Sequence, residues 1–165
     1  MRTVMSALIE QDTGIKDTKI YLSEELIDVW YSYRQMSRDR SEAFGALIGS
    51  QSADANEFWL EHCTTPQKED SATRVNFNMR APHHQKSVNS YYESSHGKLG
   101  YLGTWHTHPE PTPTPSYIDI ADWKKCIKRN PDRELVFVIV GQKDVCIFRE
   151  INGSFKRIFK EQIDD

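Results

Sequence analysis

Residues 109–115 read Pro-Glu-Pro-Thr-Pro-Thr-Pro and hold four of the chain's seven prolines. Each proline fixes φ and lacks an amide donor, so neither a helix nor a sheet can run through this segment. An extended, polyproline-like loop is the remaining option, and it is stiff. Apolar segments continue on both sides of it. The loop therefore lies inside a domain and holds the residues that flank it at a set separation. The 165 residues suit a single domain, 1–165, with one core, and are too few for an eightfold β/α barrel.

Around that loop the periodicity predicts a first helix from Ser23 to about Asp39. Ser23 is a good N-cap, Glu24 and Glu25 suit the positive end, and Leu26, Val29, Trp30, Tyr33 and Met36 form an apolar stripe. Strands are expected over 42–51 and 56–63, joined by Ser-Ala-Asp-Ala, and a short extended segment over Val75, Phe77 and Met79. A second helix is expected from Pro82 to Ser95, burying Val88, Tyr91 and Tyr92. Residues 99–107 read as a strand that runs into the proline loop. A third helix starts at Ser116 and ends near Lys128, with Ile120, Trp123 and Ile127 on one face. The continuous apolar run Leu135–Val140 is a buried central strand, followed by strands over Val145–Phe148 and Phe155–Phe159 with Asn152-Gly153 as a hairpin turn. This order is no regular βαβ alternation, so the expected class is α/β with a mixed sheet flanked by helices. All four tryptophans, Trp30, Trp59, Trp105 and Trp123, read as core.

Composition narrows the partners. Hydrophobic residues make up 38% and charged residues 27%, as in soluble globular proteins. A net charge of −3 supplies no positive field for a nucleic-acid backbone or an anionic membrane, so neither is an expected partner. Cys63, Cys126 and Cys146 are odd in number and form no C-x-x-C pair, which fits a reducing cytoplasm. The apolar stretch Val4–Ile9, ended by Glu10, is too short for a signal-peptide core or a membrane span.

The chemistry concentrates in Gly103-Thr-Trp-His-Thr-His-Pro109 and Ser116-Tyr-Ile-Asp119. His106 and His108 alternate on a strand, so both imidazoles leave one face while Thr107 and Trp105 leave the other. Two imidazoles are half of a zinc site, and the stiff loop leads to a third candidate ligand, Asp119, in the first turn of the next helix. Two nitrogens and one carboxylate leave a fourth tetrahedral position open, as in a catalytic zinc site. Ser116-x-x-Asp119 also matches a helix capping box, and the two roles are compatible. Glu42, ahead of an apolar strand, is a candidate general base, although spacing alone favours a solvated carboxylate. His62, Cys63, His83 and His84 fit no standard zinc spacing.

Taken together, Glu42-x-x-Gly45-x-Leu47-Ile48-Gly49, Trp105-His106-Thr107-His108-Pro109 and Ser116-x-x-Asp119 closely resemble the JAMM motif of MPN-domain metalloproteases. The resemblance covers about Ile20 to Phe159. It implies an MPN (JAMM) fold, a curved mixed β-sheet flanked by helices, with one Zn2+ held by His106, His108 and Asp119. It further implies that Glu42 is the base and that Ser116 hydrogen-bonds the developing oxyanion. By length and by the surroundings of the histidines, the chain is most similar to bacterial deconjugating isopeptidases of anti-phage CBASS operons. That resemblance implies a protein substrate conjugated through its C-terminus, either ubiquitin-like or a cGAS-like nucleotidyltransferase, and a bacterial cytoplasmic location. The alternative is a non-catalytic MPN scaffold or dimerisation module, though such domains typically lose the metal ligands, and all are present here.

Overall fold

The computed structural model describes residues 2–7, 18–73 and 77–163. In chain order its elements are β1 (Arg2–Ala7), β2 (Thr18–Leu22), α1 (Glu24–Tyr33), β3 (Phe44–Gln51), β4 (Glu57–Cys63), β5 (Ser71–Ala72), β6 (Phe77–Asn78), α2 (Pro82–Ser94), β7 (Gly100–Thr107), α3 (Tyr117–Arg129), β8 (Val136–Val140), β9 (Asp144–Ile151) and β10 (Ser154–Gln162). Eight strands form one sheet in the order β1-β2-β4-β3-β7-β8-β9-β10, and β5 pairs with β6 separately. The β2–β4 and β7–β8 pairs are parallel and the other ladders antiparallel, so the sheet is mixed. Strong curvature brings the edge strands β1 and β10 together and leaves the sheet nearly closed. The expected curved mixed sheet flanked by helices is the fold observed.

Strand β8 shows why the sheet sits where it does. Val136, Val138 and Val140 join Leu26 and Trp30 of α1 in one core, while Phe137 and Ile139 join Trp123 and Cys126 of α3 in a second. Both faces of this strand are covered, which is why its sequence is apolar without alternation. Trp105, fully buried, lies in the α1 core and donates from Nε1 to the Thr64 carbonyl at 2.8 Å.

Three expectations need correction. Helix α1 stops at Tyr33, and Met36 is 57% exposed rather than part of the stripe. Tertiary hydrogen bonds outcompete further helix there: Arg34 reaches the Gln142 carbonyl at 2.9 Å, and the buried Gln35 side chain binds the Arg40 carbonyl at 2.8 Å. Helix α2 buries His84, whereas Val88 and Tyr91 are half-buried and Tyr92 is exposed, because a cleft of about 450 Å³ separates this helix from the end of α3. Trp59 is half-buried, stacked on Tyr21. Residues 2–7 and 18–22, to which the sequence reading assigns no element, form β1 and β2. Leu8, Ile9 and Glu10 of the apolar N-terminal stretch, and Val75, lie outside the described residues. No helix among the described residues is long and apolar enough to cross a membrane.

Candidate metal centre

Strand pairing builds the site. Phe44 at the start of β3 is in register with His106 on β7, which sets Glu42, just ahead of β3, beside the histidines. Two hydrogen bonds lock this junction: Thr107 N donates to the Ala43 carbonyl at 3.0 Å, and Ala43 N donates to Thr107 Oγ1 at 2.9 Å. The Thr107 hydroxyl in turn donates to Gln35 Oε1 at 2.7 Å. Thr107 points away from the imidazoles, as strand alternation requires, and ties the opposite face to the α1–β3 loop. Glu42 N donates to the Thr73 carbonyl at 2.8 Å.

The proline loop delivers the second half. It forms neither helix nor strand and is clamped to the turn after β8, where Gln142 N donates to the Glu110 carbonyl at 2.7 Å and Lys143 N to the Pro111 carbonyl at 3.1 Å. Gly141 is required under it: a Cβ there would lie 2.5 Å from Pro113 Cδ and 2.7 Å from the Glu110 carbonyl oxygen. The loop ends on α3, whose capping box is complete. Asp119 N donates to Ser116 Oγ at 3.1 Å, and Ser116 N donates to Asp119 Oδ2 at 2.8 Å.

These elements converge on one small volume. His106 Nε2 and His108 Nε2 are 3.1 Å apart; Asp119 Oδ1 is 3.2 Å from the first and Oδ2 3.1 Å from the second. Glu42 Oε1 lies 3.6 Å from His108 Nε2. Glu42, His106, His108 and Asp119 are all buried. Glu42, His106 and His108 each offer a ligand atom within 4.8 Å of the others, so this group could hold a metal ion. Asp119 approaches the imidazoles more closely than Glu42 does. Tetrahedral zinc with bonds of about 2.0 Å requires donor atoms roughly 3.3 Å apart, close to the spacings of the His106, His108 and Asp119 set. The second oxygen of Glu42 is buried without a hydrogen-bond partner among the described residues. Buried polar atoms are seldom left so in a finished site. The donors present therefore fit a zinc ion.

Electrostatics separates the two carboxylates. Burial pushes Glu42 up to about 8, reinforced by the charge of Asp119 and opposed by His108. Burial acts on Asp119 in the same sense, but hydrogen bonds from His106 and His108 outweigh it and hold Asp119 well below the usual carboxylate range. Burial lowers His106, against the pull of Asp119. His108 is also penalised by burial, yet Asp119, Glu110 and Glu42 raise it overall. Hydrogen bonding thus favours the ionised form of Asp119, whereas burial favours the protonated form of Glu42.

Two contributors escape a reading of spacing. Glu110, inside the proline loop, lies with Oε1 2.9 Å from His108 Nδ1 and aims Nε2 inward. Gln35 braces Thr107 from the far side. His84 and His62 lie elsewhere: His84 bridges Thr64 and Asp70, and His62 pairs with Glu25 and stacks on Tyr91.

A sequence profile of prokaryotic homologs of the JAB domain matches residues 30–152. The chain belongs to this prokaryotic JAB family. The JAB chain is 33% identical over 147 residues to a protein of Escherichia coli (strain TW11681) named CD-NTase/cGAS isopeptidase, covering 89% of this chain and 92% of that one. It is 33% identical over 145 residues to a protein of the same name from Vibrio cholerae serotype O1, covering 86% and 90%. A third such protein, from Pseudomonas aeruginosa (strain BWHPSA011 / Pa011), is 31% identical over 131 residues, covering 79% and 82%. The solution structure of a Desulfitobacterium hafniense protein shares the fold, with a TM-score of 0.58 at 21% identity over 84% of this JAB chain and 88% of that one.

Proposed function

We propose that this JAB protein is a zinc-dependent isopeptidase that releases a protein conjugated through its C-terminus, namely a cGAS-like nucleotidyltransferase in bacterial anti-phage defence of the CBASS type. The observation that carries the reading is the meeting of two imidazoles and an ionised carboxylate at 3.1–3.2 Å, with a second buried carboxylate 3.6 Å from His108. Family membership and the names of the relatives support the substrate class.

His106, His108 and Asp119 would hold the ion, one per chain, which when bound polarises the scissile carbonyl and brings the pKa of water to about 7. Glu42 takes the proton of the attacking water and passes it to the departing amine. A base drawn toward the working pH does both steps well, and burial moves Glu42 in that direction. Ser116 Oγ accepts from Asp119 N, which leaves its hydroxyl hydrogen to donate to the oxyanion, an interaction worth about 3 kcal/mol.

The test is a reporter fused to the C-terminus of a cGAS-like nucleotidyltransferase, incubated with the zinc-loaded protein. Cleavage is expected, with about one zinc per chain by elemental analysis. Glu42→Ala should retain zinc and lose about a thousandfold in rate. Equal cleavage by Glu42→Ala would overturn the mechanism, and absence of both zinc and cleavage would favour a scaffold.

A further inference from the structure

Two adjoining cavities form one trough leading away from the metal centre. The nearer, about 350 Å³, lies between β6 and α3 and is lined by Asp119 and Thr104; the farther, about 450 Å³, lies between α2 and the end of α3. Met79, Tyr101 and Arg129 line both, so the two cavities meet at these side chains.

Three features mark it as a seat for a polypeptide. Of the four large apolar side chains exposed among the described residues, three line it: Tyr117 (89%) and Ile118 (51%) beside the metal centre and Tyr92 (53%) at the far end. The Thr104 hydroxyl, on a residue only 2% exposed, lines the nearer half with no hydrogen-bond partner among the described residues. It lies two residues before His106 on β7 and offers a hydrogen bond to a backbone passing over the strand. Charge, finally, is uneven along the length. Asp119, Asp122 and Lys125 line the nearer half, Arg129 stands where the two halves meet, and Arg133 lines the farther half. Arg133 is committed to the Tyr101 carbonyl at 3.2 Å and to Asp132 at 2.9 Å. Arg129 is exposed, its nearest recorded partner being Cys126 Sγ at 3.5 Å. So few cations in a chain of net charge −3 suit a single carboxylate far better than a nucleic-acid backbone.

Resting on the isopeptidase reading, we propose that this trough seats the extended tail of the released protein and that Arg129 selects an acidic side chain four or five residues before the cut. The register follows from helix geometry. Asp119 and Arg129 are ten residues apart on α3, about 15 Å along its axis, and an extended peptide covers about 3.3 Å per residue.

The experiment uses the reporter fusion above, with Glu, Gln or Lys placed singly at each position three to six residues before the cut. Glu at the fourth or fifth position should lower KM about five- to tenfold relative to Lys, with kcat unchanged, and Arg129→Glu should invert that order. An unchanged order in Arg129→Glu would overturn the proposal while leaving the isopeptidase reading intact. If no fusion is cleaved, the isopeptidase reading fails and the trough is tested by itself. Fluorescence anisotropy of labelled peptides with the same substitutions would then decide: an Arg129-dependent preference for Glu supports the proposal, and equal affinity for Glu and Lys peptides overturns it.

Discussion

Thr107→Val tests how the base is held beside the imidazoles. Valine preserves shape and removes only the hydroxyl, which accepts from Ala43 N at 2.9 Å and donates to Gln35 Oε1 at 2.7 Å. Thr107 and Gln35 are fully buried and Ala43 is 5% exposed, so water does not replace the lost partner. A buried amide stripped of its acceptor costs about 1–3 kcal/mol, and loss of the second bond about 1 more. The expected destabilisation is about 2–4 kcal/mol, a large part of the 5–15 kcal/mol typical of a domain. Thr107→Ser keeps both bonds and loses one methyl, for about 1 kcal/mol. Urea unfolding of the metal-free protein at pH 7.5 measures the difference, with unchanged m-values expected. Because Ala43 adjoins Glu42, the valine variant should also lose more kcat than the serine variant, with zinc content equal. Stabilities of the two variants within 0.5 kcal/mol of each other would refute the reasoning.

Further expectations concern the frame of the site. Asp70 accepts hydrogen bonds from Arg80 N at 2.6 Å, Ala81 N at 2.7 Å and Gln67 N at 2.9 Å, and lies 2.7 Å from His84 Nε2. Burial would raise its pKa, but these bonds, led by Ala81 N, depress it below 3.8. The stability it contributes is therefore complete above about pH 5 and is lost as pH falls through the folded value; Asp70→Asn should destabilise by about 2 kcal/mol at pH 7 and progressively less as the acid range is entered, by chemical denaturation. Glu110→Ala should weaken zinc retention against a chelator about tenfold or more, since His108 loses its orienting partner, and an unchanged affinity would assign Glu110 to the loop alone. Gly45→Ala would place a Cβ 1.8 Å from the Thr64 carbonyl oxygen and 2.6 Å from Trp105 Nε1, so poor folding or a loss of several kcal/mol is expected in a thermal melt.

Local chemistry is what a sequence displays well. The proline loop, the alternation of His106 and His108 and the cap at Ser116 all depend on neighbours within a few residues, and each is found in place. Glu42 is different. Its position depends on β3 pairing with β7, and that register joins residues more than sixty apart. Spacing leaves such a carboxylate open to a solvated role; the resemblance to a known motif, not periodicity, singled it out. Tertiary bonds explain the other gaps. Arg34 and Gln35 continue a helical pattern but leave the helix to bind Gln142, Arg40 and Thr107. The apolar residues of α2 suit a packed helix, yet they border a cleft. Glu110 reads as loop filler until the fold brings its carboxylate to His108.

The reciprocal bonds between Ser116 and Asp119 tie the start of a helix to the aim of a candidate ligand. The carboxylate is oriented by two hydrogen bonds within a turn of four residues. Loading zinc would then resemble fitting a key to a finished lock, unlike the small zinc domains that collapse when stripped. Such a protein is expected to be emptied and refilled in the test tube while its framework stands.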